Sequence, residues 1–125
     1  MKKETWNKWE LHQLAKEIMD LLLKEPKFVL SWEPSDFEAT SYNEMPGIKF
    51  KVRGGLFHRG DVIIVLNEKK DFYEVFFHDY EGREKSHIKD IFFDFLLNII
   101  DTQIMKSCLS EEELKRLFRD NIFRG

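Results

Sequence analysis

At 125 residues, with 42% hydrophobic and 14% aromatic side chains, the chain carries enough apolar material for one packed domain (1–125) and is not a disordered segment. Lysine and arginine number 20 against 23 aspartates and glutamates, a formal net charge of -3, so the basic excess of a dedicated nucleic-acid binder is missing. The single cysteine, Cys108, excludes an internal disulfide, and the most apolar stretch, 91–100, is too short to span a bilayer and is broken by Asp94 and Asn98.

The opening residues hold lysines with no apolar run behind them, which argues against a signal peptide and for a cytoplasmic protein. Residues 5–24 read as an amphipathic helix. Leu11, Leu14, Ala15, Ile18, Leu21 and Leu22 recur on one side, and Glu10, Gln13, Glu17, Asp20 and Lys24 fill the other. Thr5 is the expected N-cap, without a capping box because Lys8 follows three residues on, and Pro26 closes the helix. Short segments of period two come next: 28–32, a weaker 37–43, and a turn at 44–47 carrying Pro46-Gly47. Residues 48–53 alternate three apolar side chains with three cations, as a half-buried antiparallel strand does.

Gly54, Gly55 and Gly60 bracket a loop. Residues 62–66, 72–78 and 84–88 then read as further strands of a meander with short turns. From 90 to about 107 the polar residues Asp90, Asp94, Asn98, Asp101, Thr102 and Lys106 form one stripe of a helix that is otherwise apolar. Ser110 and Glu113 make a capping box for a last helix that buries Leu114, Leu117, Phe118 and Ile122. The expected fold is α+β: an N-terminal helix, an antiparallel meander of five or six strands, and two C-terminal helices packed on the sheet. That order of elements is similar to that of small accessory proteins such as secretion chaperones and immunity proteins. The likeness is one of architecture and transfers no residue.

If Arg53 faces Asp61 and Asn67 faces Phe72, then Ile48, Phe50, Val52, Ile64, Val75 and Phe77 share the core face. The other face holds Ile63, Val65, Phe72 and Phe76 beside Lys49, Lys51 and Glu74, with Arg53, Asp61 and His78 in a row. An apolar patch rimmed by charge is either covered by a helix of the same chain or is a protein contact surface. Lys49, Lys51, Arg53, Ile63, Val65, Phe72, Phe76 and His78 are therefore the expected contact residues.

No chemical motif competes with this. His12, His58, His78 and His87 match no metal spacing, Cys108 has no activating neighbour in sequence, and the Gly54–Gly60 loop is no P-loop. Trp6 and Trp9, one turn apart, are expected to pack in the core. The segment 47–60 holds four cations and no acid beside Phe50 and Phe57, but Phe50 points away from the lysines. The expectation is a small accessory or regulatory protein acting through contact with another protein or with itself. No catalytic residue, metal or cofactor is expected from the sequence. The alternatives are a nucleic-acid module using Lys49, Lys51, Arg53 and Arg59, and an enzyme with an unrecognised site.

Overall fold

The structure is a computed structural model that describes residues 7–106 together with Glu112 and Arg116. Lys8–Leu22 forms α1, and its start differs from expectation. Asn7, not Thr5, is the N-cap. Its side-chain oxygen accepts from the Glu10 backbone N–H at 2.8 Å, while the Glu10 carboxylate accepts from the Asn7 N–H at 3.4 Å. That reciprocal pair is a capping box and satisfies two otherwise orphan donors. Ala15, Ile18 and Leu22 are the side chains α1 buries.

Pro26–Ser31 is a short helix, α2, where a strand was expected over 28–32. Pro26 occupies its first turn, where the missing N–H costs nothing and the fixed φ already suits a helix. A short apolar run has no periodicity of its own to tell the two apart. β1, Pro34–Tyr42, is longer than the expected 37–43 and absorbs Pro34 and Asp36. It lies at the sheet edge, and its register shifts between Ser35 and Glu38, around Asp36 at φ 56°.

The next turn is Asn43-Glu44, both left-handed at φ 51° and 65°, a two-residue hairpin turn. Met45, Pro46 and Gly47, expected in that turn, belong instead to β2, Met45–Val52. Gly47 is needed in the strand because a Cβ there would collide with the Ile64 carbonyl oxygen. β3 (Gly60–Asn67), β4 (Phe72–His78) and β5 (Glu84–Ile91) complete a five-stranded antiparallel sheet in chain order.

Asn67 faces Phe72 as expected, but Lys51 rather than Arg53 faces Asp61. The difference is two residues, which leaves every side chain on its expected face. Ile48, Phe50 and Val52 are buried at 3, 0 and 0% exposure. They join Ile64, Val75 and Phe77 beneath α1 and the C-terminal helical pieces, giving the expected α+β architecture.

Those pieces are α3, Phe93–Asp101, and a π-helical turn, Thr102–Lys106. β5 runs on through Asp90, so the helix starts later than expected. Asp94 and Asn98 of the expected polar stripe are exposed, but Asp101 and Thr102 are buried. Asp101 accepts a hydrogen bond from Trp32 Nε1 at 2.8 Å, and the Thr102 hydroxyl donates to the Asn98 carbonyl at 2.8 Å. The Ile104 carbonyl accepts from the backbone N–H groups of Leu56 at 3.0 Å and Phe57 at 2.9 Å. The Ser110 capping box, with Leu114, Leu117, Phe118 and Ile122, lies outside the described residues. Glu112 and Arg116 are helical and exposed.

Trp32 is fully buried, stacks parallel to Phe50 at 6.3 Å, and its carbonyl accepts from the Arg53 and Gly54 N–H groups. Trp32→Phe keeps an aromatic ring but strips the donor from a carboxylate whose remaining counter-charge is Lys106 at 3.9 Å. The expected loss is about 2–4 kcal/mol, read as a lower urea midpoint at unchanged slope. Asp101→Asn, which keeps an acceptor oxygen, should lose less.

Candidate functional site

Neighbouring strands build the outer face of the sheet in rows. Lys49 lies opposite Ile63, Ile63 opposite Phe76 and Phe76 opposite His87; in the next row Lys51, Asp61 and His78 are aligned. Ile63, Val65 and Phe76 are buried, at 3, 0 and 2% exposure, so these three expected contact residues are inside the protein. Among the described residues, Tyr42 and Met45 pack against them. The Tyr42 ring meets Phe76 edge-on at 4.6 Å, and His87 stacks on Phe76 at 4.0 Å.

The polar groups of this face are largely paired with one another. Lys49 and Lys51 both approach the Asp61 carboxylate, at 3.9 and 3.6 Å. Asp61 Oδ1 is buried without a hydrogen bond, so its compensation is ionic. Glu74 accepts from Asn67 at 2.8 Å and holds His87 Nε2 at 2.8 Å. His78 Nε2 lies 3.3 Å from the Tyr42 hydroxyl and 3.9 Å from Glu84. Arg53 is exposed and does not join the Asp61–His78 row.

Of the basic segment, Phe50 is fully buried and Arg59 Nε donates to the Gly55 carbonyl at 2.9 Å. Glu38 of β1 faces Lys49. His12 is exposed. His58 is buried with Nε2 3.1 Å from the Asp61 carbonyl, and burial pushes its pKa below the ordinary histidine value. Among the described residues no group of three histidine, cysteine or acidic side chains is placed to hold a metal. Cys108 and Trp6 lie outside the described residues, and Trp9, expected in the core, is 68% exposed.

The opposite face of the sheet carries a feature the sequence reading missed. Between α1, the ends of β3 and β4 and the start of α3 lies a cleft of about 490 Å³. Glu17 and Leu21, one turn apart on α1, form one wall. Leu66 and Tyr73 line it from paired positions on β3 and β4, and Asp71 comes from the turn between them. Phe92 and Phe93, at the start of α3, make the remaining wall.

These two phenylalanines are 55 and 52% exposed. Phe72, half-buried, supports Phe92 edge-on at 4.7 Å. Phe93 and Leu21 also border an adjoining hollow of about 280 Å³ that reaches Phe28 of α2. Lys24 Nζ lies 5.8 Å from the Phe93 ring centroid, within cation–π range.

Burial, then the carboxylates of Glu17 and Asp71, raise the Tyr73 phenol above the ordinary tyrosine value of 10.0. Among the described residues neither carboxylate has a lysine or arginine at ion-pair distance. Phe92 occupies the N-cap position of α3 without any side-chain cap, where serine, threonine or aspartate is preferred.

No family model, curated protein or solved structure matches the chain. No helix among the described residues is long and apolar enough to cross a membrane.

Removing both charges with Glu17→Gln and Asp71→Asn should lower the Tyr73 pKa while leaving it above 10.0, because burial is the largest cause of its shift. The tyrosine ring Cζ resonance followed through a pH titration reads this directly. The folded value exceeds the unfolded one, so the linked stability is complete below pH 10.0 and is lost as pH rises through the folded value.

Proposed function

We propose that this is a small accessory or regulatory protein that acts through contact with another protein, and that the contact is made at the cleft between α1 and α3. The observation that carries this reading is the pair of adjacent phenylalanines, 55 and 52% exposed, beside a hollow of about 490 Å³. Fully burying one phenylalanine is worth about 1.5–3 kcal/mol, so two half-exposed rings leave a comparable amount to be recovered on association. Aromatic side chains next to a pocket are the usual anchors of protein interfaces.

The alternatives draw less support from the geometry. Among the described residues the ionisable groups facing the cleft are Glu17, Asp71 and Tyr73. A phenol held above its ordinary range is a weak acid or base near neutral pH, which favours recognition over proton transfer. For nucleic acid, Asp61 already compensates Lys49 and Lys51, and carboxylates at the cleft repel phosphate.

Phe93→Ser should fold normally, since its ring is half outside already, and should weaken capture of the partner from cells of the source organism by about tenfold or more. Sedimentation of wild type and variant across concentration reads whether the partner is a second copy of the chain. Capture and sedimentation both unchanged by Phe93→Ser would remove the cleft from the contact.

A further inference from the structure

The larger hollow is asymmetric in charge. Among the described residues its lining supplies two carboxylates, Glu17 and Asp71, a phenol and two phenylalanines, and no cation. The carboxylates have no ion-pair partner among the described residues, and the whole chain carries a formal net charge of -3. An occupant that fits must offer an apolar stem to Leu21, Leu66 and the phenylalanines and end in a positive charge.

We infer that the cleft receives an arginine side chain presented by the partner protein. The inference rests on the contact reading above and names the chemistry of what docks there. Arginine is favoured over lysine on three grounds. Its planar guanidinium stacks on aromatic faces, its fork of donors can serve two carboxylates at once, and it gives up water more cheaply than an ammonium. A hollow of about 490 Å³ is ample for one such side chain with its neighbours. The Phe93 ring already holds one cation of the chain itself, Lys24, at 5.8 Å, so this aromatic wall tolerates positive charge nearby.

The test titrates the full isotope-labelled chain with a capped alanine-rich peptide carrying one central arginine. The same peptide with citrulline or with lysine in that place serves for comparison. Citrulline keeps the shape and removes the charge. The expected result is saturable shifts at Tyr73, Phe92 and Phe93, with the arginine peptide bound about fivefold or more tightly than the citrulline one. The double variant Glu17→Gln with Asp71→Asn should erase that difference, and added salt should shrink it. Asparagine suits position 71 because the backbone there is left-handed, at φ 59°.

Equal affinity for arginine and citrulline, with shifts still centred on Phe93, overturns the arginine assignment and leaves the contact site standing. Tighter binding of lysine than of arginine also overturns it. Shifts that map away from Phe93 for every peptide overturn both readings.

Discussion

The arrangement of helices over this sheet depends on one buried hydrogen bond, from Trp32 Nε1 to the Asp101 carboxylate. Trp32 lies after α2, and its carbonyl accepts from Arg53 and Gly54 at the end of β2. One residue thus ties together a short helix, the end of a strand and the C-terminal part of α3. The Ile104 carbonyl, gripped by backbone N–H groups of the β2–β3 loop, adds a second point of attachment just beyond. A nine-residue helix is about 14 Å long and behaves as a rod. Holding its far end therefore aims its near end, and the near end is where Phe92 and Phe93 stand.

The two faces of the sheet handle polar groups differently, and that difference locates the site. On the outer face Glu74 is shared between His87 and Asn67, and Asp61 between Lys49 and Lys51. Buried charges persist only when compensated, and such groups have little left to offer a ligand. Over the helix-covered face, Glu17 and Asp71 act electrostatically on Tyr73 and have no ion pair among the described residues. Apolar groups divide the same way: Ile63, Val65 and Phe76 are sealed, while Phe92 and Phe93 are half in water.

What could be read in advance follows the range of the interaction that decides it. The alternation of Ile48, Phe50 and Val52 with Lys49 and Lys51 is a local signal, and it located β2 and its buried face correctly. The β3–β4 register was legible because a short turn sets it, whereas the longer β2–β3 loop left room for a two-residue offset. Pro46-Gly47 looked like a turn, yet the reason for glycine there is the Ile64 carbonyl on the next strand. Asp101 looked solvated because its partner, Trp32, is 69 residues away. The cleft was illegible for the same reason. Phe92 and Phe93 read as ordinary apolar residues of a helix, and their exposure is set by the packing of elements distant in sequence.

The start of α3 also carries a local cost. Phe92 takes the N-cap place with no side-chain oxygen to receive an N–H of the first turn, and such a cap is worth about 1 kcal/mol. The ring gains only part of its burial in return, from its edge contact with Phe72. Local propensity would be better served by a small polar residue there, at the loss of that ring contact. Departures from local preference gather where a protein meets something else. Here the departure borders the same hollow as two carboxylates with no ion pair among the described residues and the perturbed phenol. An occupant with an apolar stem and a positive end would relieve all of these at once, covering the rings while supplying a counter-charge.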